Sequence, residues 1–496
     1  MQLRQKIMAI VSLLSLVIPL TACGSRAASD NDLLYVFNTK GELGEILEPL
    51  VKEYGRSHKI PVKVFSPGTG SDVTEITNTE MMSNNPPSIF STQVLTTWGP
   101  TDGNFMLDLS RSGIPELEKL ANQIPEDMRL KTASGYNLGI PYTVEGYGYL
   151  VDKDVLKSLF SLDDVTNLLA DLKTCDFQEF RNFTEAVNQH IHDGLAHAVN
   201  LNAHSYTTVN SKTGLAGELT GVFIESGAEM WTYADHMINI PLNAVFKNYS
   251  QAYYSEVDAI RALKKPAVKA MDVLEYNTAH AAGEKGPNLR GPSFVNSTTG
   301  SYDYALQLFA DHKGLFYKQG SWIYPDLKKA NPEMINRLDM IPIKMPFTQS
   351  DINVKNRTPE TFNTSIPFFV PNYWVINRKT SARQQREAAQ FLVWLYQSER
   401  GRRFLEDEAG FIIYNRIDKD QSSKANAMNA ILLDYLKAGR TLSNPFNAAP
   451  GNWLEFVGNR LKQDYMTKRR WNVSTYSEYA DTIIARWQEL KDIQSS

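Results

Sequence analysis

The 496-residue sequence predicts an α/β protein of at least two domains. Two observations lead there. From Leu33 onward, apolar runs of strand length alternate with segments whose apolar residues recur at helical spacing, the pattern of a doubly wound sheet. The chain is also longer than one hydrophobic core usually serves, so at least two cores are expected.

The elements can be justified in order. Leu33 to Phe37 has strand length, and Leu43, Ile46, Leu47, Leu50, Val51 and Tyr54 then repeat at helical spacing, with Gly55 as the expected stop. Ile60 to Phe65 reads as a second strand. A polar helix follows from about Asp72 to Ser83, and Pro86 to Phe90 leads into a third strand. Ligands in such sheets sit beyond the carboxyl ends of the strands, which puts Asn38-Thr39-Lys40-Gly41 and Ser91-Thr92-Gln93 at an expected cleft. Leu138 to Val151 is a further strand-and-loop passage dense in Gly, Pro and Tyr. Phe183 to Tyr206 is helical and then polar, and Gly283 to Gly300 reads as an exposed loop. Ser381 and Gln384 have capping-box spacing at the head of an amphipathic helix to Tyr396. Tyr476, Ala480, Ile483, Trp487 and Leu490 mark the final helix as core-facing.

Arg4 and Lys6 precede the apolar run Ile7 to Leu20, and Leu20-Thr21-Ala22-Cys23 follows. This is the form of an export signal, expected over 1–22, ending in the Leu-x-Ala-Cys of a bacterial lipoprotein. Cys23 would take the lipid and become the new amino terminus, with 23–31 as a tether to a cell membrane. Cys175 would then be the sole thiol, so the exported fold must hold without an internal disulfide. The formal net charge is −4 and no long basic run occurs, which argues against a nucleic-acid partner.

Catalytic patterns are weak. His190, His192 and His197 lie in a polar helical stretch without a recognised ligand spacing and read as a solvated face rather than a metal site. Gly68-Thr69-Gly70 lacks the Gly-Lys of a phosphate loop, and no Gly-x-Ser-x-Gly elbow appears. Asp163-Asp164 and Glu406-Asp407-Glu408 offer paired carboxylates, read here as surface charge with nothing to raise either pKa. No enzyme and no cofactor are expected.

Three segments carry a resemblance: Gly139-Ile140-Pro141-Tyr142 through Glu145 to Val151-Asp152-Lys153-Asp154-Val155-Leu156; Ala310 to Trp322, ending Gln-Gly-Ser-Trp; and Tyr373-Trp374-Val375-Ile376-Asn377 through Ala388-Ala389-Gln390-Phe391-Leu392 to Gly410-Phe411-Ile412. In order and spacing they resemble the extracellular solute-binding proteins of bacterial ABC importers, the family that includes maltose-binding protein. The resemblance implies a two-lobed periplasmic-binding-protein-like α/β fold with hinge crossover strands. Its template puts one lobe at 32–140 plus 346–409 and the other at 141–344 plus 410–496, with the excess length between about Gly214 and Gly300. It implies a monomer that captures a mono- or oligosaccharide for membrane permease subunits. The chain departs from the family at Val151-Asp152, where a Tyr-Asn is usual, and at Phe316-Tyr317, where Ala-Met is usual. A non-sugar solute on the same fold and, from another class, a secreted polysaccharide-processing enzyme remain open.

Sugars offer a C–H face for aromatic rings and a rim of hydroxyls for planar polar groups. By resemblance, Trp322 and Trp453 are the expected stacking indoles, against the competing reading of each as a core tryptophan. Glu145 would accept from hydroxyls, unless it is a solvated surface acid, and Tyr206 would be a stacking tyrosine. Thr39 and Lys40 match a polar pair in the first strand-to-helix loop. Gln93 and Asn372-Tyr373 fall at the same edge by topology.

Overall fold

The computed structural model describes residues 33–68, 73–92, 105–132, 135–417 and 426–495. The expected export signal, Cys23 and Gln93 lie outside them. Thirteen strands are named in chain order: β1 Leu34–Phe37, β2 Val62–Phe65, β3 Ile89–Thr92, β4 Ile140–Pro141, β5 Glu145–Asp152, β6 Ala198–Leu201, β7 His204–Thr207, β8 Gly221–Ile224, β9 Gly314–Gly320, β10 Leu338–Ile341, β11 Ile366–Phe369, β12 Tyr373–Ile376 and β13 Thr441–Leu442.

Two sheets organise the two lobes. The first runs β2-β1-β3-β12-β4, with β1 parallel to β2 and β3, and β12 antiparallel to β3 and β4. The second runs β13-β11-β5-β9-β8, and β10 pairs with the far half of β5. β1 is buried along its whole length, as a strand covered by helices on both faces must be. The helix Gly44–His58 packs Leu47, Leu50, Val51 and Tyr54 inward, as the spacing predicts. It does not stop at Gly55. A β-carbon there would come within 2.6 Å of Val62, so the glycine serves close helix-to-strand approach, and Lys59 in the left-handed region ends the helix.

Ser381 and Gln384 form the expected capping box on the helix Ala382–Gln397. Its Phe391, Leu392 and Leu395 are fully buried, each contributing ~1.5–3 kcal/mol by leaving water. The final helix Tyr476–Ser495 buries Tyr476, Ala480, Ile483 and Trp487. Gly283 to Gly300 is a largely exposed loop, as expected, pinned by Phe294, which is buried, and by Arg290, which donates to Glu275 at 2.8 Å. Among the described residues no helix is long and apolar enough to cross a membrane.

Among the described residues the chain passes between the sheets three times. It leaves the first after β4 through Tyr142 to Val144 and returns from β11 to β12 through Val370 to Asn372. After the helix Ala382–Gln397 it crosses again beside Ile412 to reach the helix Ala427–Lys437. The passages are bonded side by side: Tyr142 N–H donates to the Asn372 carbonyl at 2.9 Å, and Val144 N–H to the Ile412 carbonyl at 3.1 Å. β11 pairs with β5 and β13, so Ile366–Phe369 lies in the second sheet, and the chain returns to the first at 370–372.

Candidate functional site

The loop after β1 is shaped by Asn38. Its side-chain amide donates to the Lys40 carbonyl at 2.7 Å, while its Oδ1 accepts from the Lys40 N–H at 3.0 Å and from the Tyr142 hydroxyl at 3.1 Å. The turn aims Lys40 across the gap between the lobes. Its ammonium meets Glu42 at 2.8 Å and Glu145 at 3.0 Å, and both Lys40 and Glu145 are buried. Burial alone would lower the Lys40 pKa, but Glu145 and Glu42 together lift it above the ordinary lysine value. Glu145 is therefore not a solvated surface acid. Thr39 shares a 2.6 Å hydrogen bond with Ser91 at the end of β3 and accepts from the Asn372 amide at 3.2 Å. Thr39, Lys40, Glu145 and Asn372 thus come together from three separate stretches of chain.

Trp322 follows β9 in a short turn, Ser321–Ile323, and is half-buried. Its position depends on Gly320. A β-carbon there would stand 2.2 Å from the indole ring, so only glycine lets the ring fold back over the strand end. Together with Glu42, Val144, Glu145, Tyr324, Phe411 and Asn429 it lines the recess between the lobes. Trp231 stands 5.9 Å away, nearly perpendicular, with its indole N–H donated to Glu229 at 3.1 Å. His236 lies 5.3 Å from Trp322 and stacks on Tyr147 at 4.0 Å, and Phe369 closes on Tyr147 edge-on at 6.1 Å. Burial holds the His236 ring well below the ordinary histidine pKa, so it is neutral, and its Nδ1 has no partner. The arrangement offers half-buried ring faces beside fixed polar groups, across a gap whose walls belong to different lobes.

Other expected site residues lie elsewhere. Trp453 is fully buried, with its N–H donated to the Ile483 carbonyl at 2.6 Å and its ring edge-on to Trp487 at 5.0 Å. A tryptophan with both apolar faces and its one donor satisfied inside has nothing to offer a ligand; the core reading holds for Trp453. Tyr206 sits on the β6-β7 hairpin and donates to Asp171 at 2.6 Å, packed edge-on to Phe160. It braces that hairpin, away from Trp322. Tyr373 is buried on β12, where the missing β-carbon of Gly139 makes room for it, and forms hinge packing beside Asn372.

The histidines expected on a solvated face divide. His190 is fully buried and bonded to the Leu195 carbonyl at 2.9 Å, whereas His197 pairs with Asp193 at 2.9 Å. Asp163, Asp164, Asp407 and Glu408 are exposed. Hydrogen bonds from Thr166 lower the Asp164 pKa, the opposite of what a general acid needs.

Sequence reasoning missed Trp231, His236, Phe369 and Phe411. The first two lie in the stretch assigned to excess length, where Met-Trp-Thr-Tyr-Ala-Asp-His was the available signal. Phe411 stood inside a matched segment without being singled out.

With this geometry in view, comparisons give the family. No curated protein matches the chain. Solved structures do, and their likeness is in the fold: the protein RafE in complex with raffinose, at 15% identity and a TM-score of 0.59 over 92% of this chain and 99% of that one. A solute-binding protein of Streptococcus pneumoniae in complex with the blood group A-trisaccharide matches at 13% and 0.59, over 91% of this chain and 100% of that one. A chitin oligosaccharide binding protein matches at 14% and 0.61, over 93% and 100%. The model of the bacterial extracellular solute-binding proteins matches residues 49–428, most of the chain. The two hinged lobes and the cleft between them are thus those of a binding protein, and the chain belongs to the bacterial extracellular solute-binding protein family.

Proposed function

We propose that this protein captures a carbohydrate outside the cytoplasm and delivers it to the permease subunits of an ABC importer. It acts as a single copy tethered through a lipid on Cys23 after removal of 1–22. The observation that carries the reading is the half-buried indole of Trp322 in the cleft beside Glu42, Glu145 and Asn429, with the half-buried Trp231 indole 5.9 Å from it. Sugar recognition needs that combination of apolar face and polar rim. The raffinose, blood-group trisaccharide and chitin oligosaccharide named for the structural neighbours agree with it. Leu20-Thr21-Ala22-Cys23 supports the anchor.

Trp322 and Trp231 are assigned to the sugar face, and Glu145, Lys40, Thr39 and Asn372 to the hydroxyls when the lobes close by hinge bending. A thermal-shift screen against sugars, oligosaccharides and non-sugar solutes tests this. A ligand at about 100 times its Kd adds ~2.7 kcal/mol, a shift of a few degrees. Release of a shortened glycan product in the same mixtures would favour an enzyme. Stabilisation by non-sugar solutes alone would leave the fold and remove the carbohydrate reading. For the anchor, mass spectrometry of the protein from membranes should find diacylglycerol on Cys23; an unmodified cysteine would remove it.

A further inference from the structure

We propose that the saccharide carries a protonated amine, held against Trp231 and Trp322 by Glu229 and Asp326, and that acidic saccharides are turned away. The inference rests on the carbohydrate reading and narrows it.

Charged side chains on and around the cleft include two kinds. Lys40 is committed to Glu42 and Glu145, and Lys318 to Glu225 at 2.7 Å with both side chains almost wholly buried. Those lysines are neutralised within the protein. Glu229 and Asp326 are not matched in this way. Glu229 accepts the Trp231 indole N–H at 3.1 Å and Asp326 accepts the Tyr302 hydroxyl at 3.0 Å; among the described residues neither makes a salt bridge. Tyr302 lies 6.4 Å from Trp231, so both acids are fixed at the edges of rings in one aromatic group. Burial lifts the Asp326 pKa above its ordinary value, outweighing the Tyr302 hydroxyl and the more distant Lys329, which lower it. Inside the same group His236, 5.1 Å from Trp231, is buried with its Nδ1 unpartnered.

Indole faces beside unpaired carboxylates suit a cation. The ring quadrupole attracts positive charge, and a carboxylate accepts a charge-assisted hydrogen bond from an ammonium. A uronate or sulfate would meet the same carboxylates as like charges in a poorly screened cleft. A neutral sugar would leave them uncompensated.

Calorimetry with three trisaccharide probes on the unmodified protein decides this: a glucosamine trimer with free amines, its fully N-acetylated counterpart, and trigalacturonate, at about pH 6 where amines are protonated. The free-amine trimer should bind at least about ten-fold tighter than the acetylated one, a preference that salt weakens. Trigalacturonate should not bind. Glu229→Gln combined with Asp326→Asn should bring the ratio of the two glucosamine probes close to one. Equal or tighter binding of the acetylated trimer, or any binding of trigalacturonate, overturns the amine inference and leaves the carbohydrate reading standing. So does an unchanged ratio in the double variant, which would remove these two acids from the recognition. Binding of spermidine without any saccharide, or of no saccharide in the wider screen, overturns the carbohydrate reading and this inference with it.

Discussion

Lys40, from the loop after β1, and Glu145, the first residue of β5, meet at 3.0 Å, so a buried ion pair joins the lobes where the chain crosses between them. Removing one partner of such a pair strands the other without compensation. Lys40→Met is expected to cost ~3–5 kcal/mol in urea unfolding, and Lys40→Met with Glu145→Gln to recover most of it. A single variant as stable as the parent would show that the pair does not help hold the lobes together.

Gly320 and Trp322 give a second test. A methyl group at 320 would stand 2.2 Å from the indole, so Gly320→Ala must displace the ring or the strand end. The expected cost is ~1–3 kcal/mol, with a shift in tryptophan fluorescence and loss of the ligand-induced rise in Tm. An unaltered ligand response would mean that the indole position is not needed for binding.

The two tryptophans once expected to share a role should separate. Trp453→Ala opens a cavity in a filled core and is expected to cost ~3–5 kcal/mol in the ligand-free protein. Trp322→Ala, at a half-buried position, should change ligand-free stability far less and abolish the stabilisation by sugar. Thermal melts with and without ligand measure both effects, and equal ligand-free losses would contradict the assignment.

Lys344 predicts a pH dependence. Burial pushes its pKa down to about 8, and its ammonium donates to backbone carbonyls of Cys175 and Asn363. The folded state therefore holds this proton less tightly than the unfolded chain, whose lysine keeps its ordinary value of 10.5. Between these values the unfolded state binds more protons, so this residue's contribution to stability rises with pH from about 8 and levels off near 10.5. Relative to Lys344→Met, the parent should gain stability across that window. Parallel curves would refute the shifted pKa.

The legible parts of the molecule were those set by local periodicity or by matched segments. The capping box at Ser381, the stripe of the final helix and the alternation through β3 follow from nearest-neighbour spacing, and the structure places them within a few residues. The loop at Thr39-Lys40 was legible because strand ends in such sheets face a cleft. Trp453 failed because a Pro-Gly-Asn-Trp turn looks alike whether its indole points outward or into a core; only the distant Ile483 carbonyl and Trp487 decide it. Trp231 and His236 were invisible for the converse reason, since their value comes from Trp322, far along the chain. The place of β11 was not legible because its sheet partners β5 and β13 are not adjacent to it in sequence.

The place of β12 has a consequence for the order in which the molecule can assemble. It lies between β3 and β4 in the first sheet, yet it follows β11 of the second sheet in the chain. A growing or emerging chain therefore holds the first lobe as an open sheet with a missing internal strand until most of the second lobe has appeared. Neither half can finish early and hand the other a completed neighbour. A polypeptide that must thread a narrow channel before taking its shape gains from this, because its leading half stays unlocked until the trailing half arrives.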